Sequence, residues 1–296
     1  MKINIINLDK EGWILSKFAK KIYFNLKLMN YECYLSKKPR EDVDVNHSII
    51  FLFLKDNQNY FPKKTINTTM LTHVNDDFRY NKVRSISKYL DAGITMSNNH
   101  LNFIKKKKLG IKRLFSILPP HDNDLQIKKI HIGVFSNLYS DGRKNEDFFE
   151  KVFCNLDSQF FKLSIIGKGW NEIVFKLKKK KIEVNFYRKF FRTLYIREIK
   201  KIDYLIYLGN DEGSMTFMDA IQLGIKTIMI PQGFQYDLKK LITHPLKTDL
   251  SNLEEILNEL CETKKVFLFY KKKLTWKNYV LEHLKIWNDL KKLKYS

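Results

Sequence analysis

The stretch Asp211-Glu212-Gly213-Ser214-Met215-Thr216-Phe217-Met218-Asp219-Ala220, continued by Ile221-Gln222-Leu223-Gly224-Ile225-Lys226-Thr227-Ile228-Met229-Ile230, decides how this chain is read. It reads as an acidic, glycine-containing turn that opens a short helix over residues 214–223. Gly224 stops the helix, and an apolar strand over residues 225–230 closes at Pro231. A helix whose N-terminus faces a strand end is where open α/β sheets bind phosphorylated ligands. Unpaired backbone N–H groups and the helix dipole stabilise an anion there.

Outward from that stretch, short apolar runs alternate with helical periodicities. Strands are expected at residues 130–135, 161–166, 182–187 and 204–208, with helices near 146–156 and 192–201. The first half repeats the pattern, with strands at 3–7, 48–54 and 68–73 and a helix over 13–29 that lines up Ile14, Phe18, Ile22 and Leu26. A strand and turn at 93–97 leads into another helix, and a strand at 114–118 ends at Pro119-Pro120, before a linker, His121-Asp122-Asn123-Asp124. Near-continuous apolar strands between helices mean parallel sheets. The chain is therefore expected to be α/β, with two doubly wound, Rossmann-like domains facing a cleft. The expected boundaries are 1–122, 123–275 and an amphipathic tail helix, 276–296, packing back toward the first domain.

The 296 residues, 44% of them apolar and 14% aromatic, are ample for buried cores and argue against disorder. Lys and Arg exceed Asp and Glu by 22 charges, so the surface field attracts anions: nucleotides, nucleic acid or acidic lipid headgroups. Abundant Lys, Asn, Ile, Phe and Tyr also fit an A+T-rich coding composition. Cys33, Cys154 and Cys261 are odd in number and far apart, which argues against a disulfide framework and a closed zinc site and fits a reducing cytoplasm. The start, Met1 to Asn7, lacks a signal-peptide core, and no run reaches the roughly 18 to 20 apolar residues of a membrane span. The expectation is a cytoplasmic protein, soluble or peripheral on the inner face of the membrane.

Three constellations carry possible chemistry. Asp211 and Asp219 are eight residues apart, which along a helix would separate their backbones by about 12 Å, enough to serve two parts of one extended ligand. Glu212 is an alternative to Asp211, and an acidic cap with a solvated mid-helix Asp is the plain structural alternative to both. Second, the strand Gly133-Val134-Phe135-Ser136 is followed by Ser140-Asp141-Gly142-Arg143-Lys144-Asn145-Glu146. There Arg143 offers a planar fork and Lys144 a point charge, two standard ways of holding a diphosphate. Third, Leu163-Ser164-Ile165-Ile166 runs into Gly167-Lys168-Gly169-Trp170, a turn against which a base or ribose can pack.

These residues resemble the nucleotide-binding domain of GT-B glycosyltransferases, in particular the group whose donor site carries an acidic-x7-acidic motif. The resemblance implies that Arg143 and Lys144, with Ser136, Ser214, Met215 and Thr216, bind the donor diphosphate. It implies further that Asp211 or Glu212 meets the sugar and that Asp219, with Gly167, Lys168, Tyr187 and Tyr195, binds the nucleoside. Ala220, Gly224, Ile202-Asp203-Tyr204 and Thr275-Trp276, with Ser97 and the Pro119 to Asp122 linker in the first half, are similar to the family's pattern, so the likeness spans most of the chain. Asp replaces the family's Glu at 219 and at 211, which shortens each carboxylate's reach; if Glu212 is the first acid, the spacing is one residue short. The loop Leu8-Asp9-Lys10-Glu11-Gly12 carries a single glycine where relatives are glycine-rich, and the first domain is short.

The resemblance implies transfer of a sugar from a nucleotide-diphosphate sugar to a bacterial surface glycan, a lipid-linked oligosaccharide or a glycoprotein. The implied reaction is metal-independent and retaining, with the nucleotide sugar a co-substrate and no cofactor. His73, at an expected strand end before Val74-Asn75-Asp76-Asp77, is the acceptor-side candidate for a base or hydrogen-bond donor; a backbone-satisfied histidine is its structural alternative. Asp42-Val43-Asp44 and Asp122-Asn123-Asp124 spell the metal-binding Asp-x-Asp of the other major glycosyltransferase fold, but neither follows a convincing nucleotide-binding set, and the histidines form no metal-spaced group. The runs 105–108 and 178–181, and Arg188, Lys189 and Arg192 among Phe186, Tyr187, Phe190 and Phe191, suit an anionic membrane surface better than nucleic acid. Two rival functions remain: a catalytically silent GT-B partner or scaffold subunit, and a basic nucleic-acid-binding or DNA-modifying protein.

Overall fold

A computed structural model of the chain describes every residue except Gln58, Asn59, Asn123, Ser140 and Ser296. Asn123 of the expected linker and of its Asp-x-Asp, and Ser140 of the expected diphosphate loop, therefore lie outside the described residues. The chain divides into two compact units, residues 1–125 with 270–296, and residues 126–269.

The first unit contains β1 (Lys2–Ile6), α1 (Ile14–Leu28), β2 (Glu32–Ser36), β3 (Val45–Ser48), β4 (Ile66–Met70), α2 (Asp77–Ser87), β5 (Ala92–Thr95), α3 (Asn98–Lys107) and β6 (Leu114–Ser116). Its sheet is parallel throughout, in the order β2-β1-β3-β4-β5-β6. α1 buries Phe18, Ala19, Ile22 and Leu26, as the helical period requires, but Ile14, expected on that face, points outward. The strand expected at 48–54 lies earlier, at β3. Val45-Asn46-His47-Ser48 looks too polar for a core strand, yet Asn46 is satisfied by the Arg40 backbone and by Thr65, and Nδ1 of His47 by Thr68. The apolar run after it is irregular, with Phe51 and Leu54 packed in a separate cluster with α2 residues.

The second unit contains β7 (Ile130–Phe135), α4 (Glu146–Phe153), β8 (Phe161–Ile166), α5 (Asn171–Lys179), β9 (Glu183–Tyr187), α6 (Arg192–Ile199), β10 (Tyr204–Tyr207), α7 (Thr216–Leu223), β11 (Lys226–Met229), α8 (Phe234–Asp237), β12 (His244–Pro245) and α9 (Leu253–Lys273). The sheet order is β12-β11-β10-β7-β8-β9, again all parallel. Succession runs outward from β7 to β8 and β9 on one side and through β10, β11 and β12 on the other. This is the doubly wound order whose reversal, between β7 and β10, opens a crevice at the strands' carboxyl ends. The expected class, two doubly wound α/β domains, is what the chain forms.

The division between the units falls inside α9. The last helix, α10 (Trp276–Tyr295), belongs to the first unit. It buries Trp276, Tyr279, Val280, His283, Leu284, Trp287 and Leu290 at three- and four-residue spacing, in the same core as Ile3, Ile5, Phe18 and Ile22. Trp287 Nε1 donates to Thr68 Oγ1 at 3.2 Å, and Lys291 and Lys294 pair with Asp44 and Asp91 at 2.8 and 3.0 Å. His283 lies against His47, ring centroids 5.0 Å apart; both are fully buried, and the Nε2 of each has no hydrogen-bond partner among the described residues.

Candidate functional site

The crevice of the second sheet is built by the loops that follow β7 and β10. Asn145 adopts a left-handed conformation (φ 51°) at the start of α4, and its side chain donates to the Leu208 carbonyl at 2.6 Å. The Asn210 N–H donates to the Arg143 carbonyl at 2.7 Å. These two bonds lace the loops together across the topological switch point. Lys144 is carried inward by this turn, buried to 8% exposure. Its Nζ donates to Asp211 Oδ2 at 2.5 Å and to the Tyr207 hydroxyl.

Tyr207, the last residue of β10, closes the triangle by donating to Asp211 Oδ1 at 2.5 Å, and the Gly213 N–H adds a fourth bond to the same oxygen at 3.1 Å. Burial pushes the Asp211 carboxyl up, but Lys144, Tyr207 and the Gly213 amide outweigh it and hold the group below the usual carboxylate range. Burial and the adjacent carboxylate push the Tyr207 hydroxyl far above its ordinary value, so it stays a donor. Tyr207 was not singled out in the sequence, where Tyr204-Leu205-Ile206-Tyr207 reads only as a buried strand; a hydroxyl at a buried strand's carboxyl end was the available signal.

Arg143 and Lys144 do not act as a pair. Arg143 stays outside, its Nε on Asp141 at 2.7 Å and its guanidinium 4.4 Å from the Tyr139 ring centre. Asp211 is not on the helix either: α7 begins five residues later, at Thr216, so the separation reckoned along a helix does not apply to it. Gly213 turns the chain here at φ 111°, while Gly224 (φ 68°) ends the helix where expected. Glu212 is exposed, and its carbonyl accepts from the Phe234 N–H at 3.3 Å. The Ser214 and Thr216 hydroxyls bond each other at 2.6 Å, and Met215 is exposed.

Asp219, in the first turn of α7, forms a second centre. Its Oδ2 accepts from the Tyr195 hydroxyl at 2.6 Å and from Arg192 Nη1 at 3.2 Å. The Tyr195 hydroxyl, chiefly, holds the Asp219 carboxyl below its ordinary value against the opposing effect of burial, with Arg192 adding to it. The Tyr195 ring packs edge-on to Phe135 at the end of β7, centroids 5.5 Å apart, and Tyr207 belongs to the same apolar cluster. One packed core therefore positions both acidic centres.

The loops after β7, β8 and β9 close the other side. The Gly167 N–H donates to the Tyr187 carbonyl at 3.0 Å, and Trp170 Nε1 donates to the Ser136 carbonyl at 2.6 Å. A Cβ on Gly167 (φ 150°) would stand 2.1 Å from the Ser136 oxygen, so only glycine allows this approach. Lys168 is tied through its backbone, its N–H to Asn137 Oδ1 and its carbonyl to the Leu138 N–H. Trp170, expected at a base-packing turn, is buried in the core. A cavity of about 10 Å³ bounded by Ser136, Lys144, Trp170, Tyr207 and Gly209 is at the lower limit for one water.

His73 lies in the first unit, exposed, three residues past the end of β4 and in a left-handed conformation (φ 55°). The carboxylate beside it, Asp76, caps α2 by accepting from the Arg79 N–H at 2.8 Å. Three of the four carboxylates of the Asp-x-Asp patterns are engaged elsewhere: Asp42 by Arg40, Asp44 by Lys291, and Asp122 by Lys17 and by Trp276 Nε1 at 2.9 Å. Among the described residues, no three His, Cys, Asp or Glu side chains are grouped to hold a metal ion. No helix among them is long and apolar enough to cross a membrane.

No family model matches the sequence, and no curated protein does. Solved structures are similar to it at low identity. The apo form of the lipopolysaccharide outer core galactosyltransferase WaaB matches over 98% of this chain and 99% of that one, at 13% identity and a TM-score of 0.37. WaaG, a glycosyltransferase involved in lipopolysaccharide biosynthesis, matches over 98% and 95%, at 12% identity and a TM-score of 0.36. Anabaena HepE in complex with UDP-glucose matches over 100% and 98%, at 12% identity and a TM-score of 0.35. What this site can do follows from its own geometry rather than from these likenesses.

Proposed function

We propose that the chain is a glycosyltransferase that moves a sugar from a nucleotide-diphosphate sugar to an acceptor. The observation that carries the reading is the buried ammonium of Lys144, held by Asp211 and Tyr207 at the switch point of a doubly wound sheet. A fixed cation there offsets the charge that develops on a diphosphate as the bond from its oxygen to the sugar's anomeric carbon breaks. Asp211, or Glu212 beside it, orients the sugar hydroxyls. Asp219, both of whose bonds fall on Oδ2, offers Oδ1 to a ribose hydroxyl. Arg143 is exposed and can swing from Asp141 to the diphosphate. With these cations the reaction proceeds without a metal, and the family resemblance favours retention of anomeric configuration.

In this reading the first unit binds the acceptor, a surface glycan, lipid-linked oligosaccharide or glycoprotein, with His73 as its candidate polar group. The enzyme works in the cytoplasm, at or near the inner membrane face. A second reading has one observation in its favour: Asp211 is already consumed by Lys144 and Tyr207, as it would be in a silent partner subunit.

A thermal-shift screen of UDP, GDP, CMP and their sugar conjugates tests the proposal, because a ligand that binds only the native state raises its melting temperature. A rise with one nucleotide, lost in Lys144→Ala and Asp219→Ala, supports the donor site and names the donor class. No rise with any of them sinks the transferase reading in favour of the silent partner. Steeply salt-dependent DNA binding would instead favour the nucleic-acid reading.

A further inference from the structure

The outward face of α1 has a composition that packing does not explain. At 100° per residue, Trp13 at its N-cap and Ile14, Lys17, Lys20, Lys21, Phe24, Lys27 and Leu28 fall within an arc of about 140°, opposite the buried Phe18, Ala19, Ile22 and Leu26. Four of these are large and apolar, yet Trp13 is 61%, Ile14 61%, Phe24 57% and Leu28 66% exposed. The helix Ile-Leu-Ser-Lys-Phe-Ala-Lys-Lys-Ile-Tyr-Phe-Asn-Leu-Lys-Leu contains no acidic residue. A groove of about 440 Å³ runs along it between Trp13 and Phe24, lined by Ser16, Lys17, Lys20 and Lys21.

The nearest carboxylates leave this face positive. Glu11 pairs with Lys20 at 2.5 Å, and Asp122 with Lys17 and, at 3.8 Å, Lys21; Lys10 lies 5.8 Å over the Trp13 ring. Five lysines, including Lys27, thus stand against two acids, in pairs exposed enough to be weak and readily exchanged.

We propose that this face of α1 docks on an anionic phospholipid bilayer. Trp13, Ile14, Phe24 and Leu28 would seat at the boundary of headgroups and acyl chains. The lysines would lay their methylene stems along that boundary and place their ammonium groups on lipid phosphates. The alternation of lysine with Ile, Leu and Phe is what separates a lipid surface from a nucleic acid, whose phosphates have no use for the apolar side chains. The inference does not depend on the donor site and stands or falls separately from it.

Trp13 supplies a direct readout, since the other three tryptophans, Trp170, Trp276 and Trp287, are buried. With vesicles of phosphatidylglycerol and phosphatidylcholine at roughly 1:2, the protein should co-sediment, and its tryptophan emission should shift to the blue and become protected from acrylamide. Trp13→Phe should abolish the emission shift while keeping most of the binding. The double variant Lys20→Glu with Lys27→Glu, at exposed sites, should bind at least about tenfold more weakly, and Trp13→Ala with Phe24→Ala similarly. Lys105→Glu with Lys107→Glu on α3 carries the same charge change and should leave binding within about threefold. Lack of co-sedimentation, equal binding to pure phosphatidylcholine, an emission shift that survives Trp13→Phe, or equal weakening by the α3 variant would each overturn the proposal.

Discussion

Lys144 Nζ and Asp211 Oδ2 stand 2.5 Å apart, joining the loop after the first strand of the second sheet to the loop after its fourth. The ion pair holds a cation at the crevice before any ligand arrives, and the proposed transfer reaction assigns its two members separable tasks. Lys144→Met should weaken nucleotide-diphosphate binding by about 10- to 100-fold, since a charge-assisted bond to an anion contributes about 1.5–3 kcal/mol. Asp211→Asn should leave nucleotide affinity within a few-fold and lower the transfer rate by about 100-fold, because the sugar would lose its orienting charge. Calorimetric titration together with steady-state kinetics distinguishes the two; parallel loss of affinity in both variants would contradict the division of roles.

Tyr207→Phe keeps the ring and removes the hydroxyl that bridges Lys144 and Asp211. With one bond to a carboxylate gone from a part-buried site, urea denaturation should show about 1–3 kcal/mol less stability, with an unchanged slope against denaturant. A neutral result would mean that water replaces the hydroxyl without cost.

Gly167→Ala should be a severely damaging single-methyl change in the second unit. The added carbon would meet a backbone oxygen rather than a yielding side chain, and the left-handed conformation adds its own strain. A loss of about 2–4 kcal/mol in the unfolding of the second unit is expected, together with loss of nucleotide binding. Gly142→Ala, where the new methyl has open space, is the matched control for backbone strain alone.

The buried His47 and His283 make the first unit sensitive to acid. Burial holds His47 well below its ordinary value, with His283 contributing, and burial brings His283 down to about 4. The unfolded chain binds these protons near pH 6.5, so stability is full above that pH. It falls by about 1.4 kcal/mol per pH unit for each histidine as pH drops from 6.5 toward the folded values. For His283 alone the total is about 3 kcal/mol by pH 4. Melting temperatures measured from pH 7.5 to 4.5 should fall more steeply in the native protein than in His283→Leu. Equal slopes would show that other groups govern the acid response.

How much of this was legible in the sequence depended on whether burial left a mark on composition. Strands β7 and β8 lie at their expected bounds because Ile, Val, Leu and Phe supply four of the six residues in each and recur at alternate positions. β3 escaped because Asn46, Ser48 and the Nδ1 of His47 find hydrogen-bond partners inside the protein, which no periodicity reveals. β2, expected nowhere, is an edge strand with one polar side, and its five residues give too little alternation to read. At the site, Asp211 and Lys144 could be singled out as charged residues in informative places, but their direct pairing depends on turns at Asn145 and Gly213. The same turn separates Lys144 from Arg143, which adjacency in the sequence had joined. Tyr207 became visible only when its hydroxyl was placed.

The docking of α10 into the first unit has a bearing on how the chain is made. The core around Ile3, Ile5 and Ile22 is completed by Tyr279, Val280 and Trp287, which leave the ribosome only after all of residues 126–269 have been synthesised. At about 5–20 residues per second the delay is roughly 10 to 30 s, during which the first sheet exposes the apolar strip that α10 will cover. The second unit, contiguous in sequence, can complete its core during that wait. Order of synthesis and order of folding are therefore inverted in this protein: what is translated first is finished last, and the nascent first unit is the segment on which a chaperone would act.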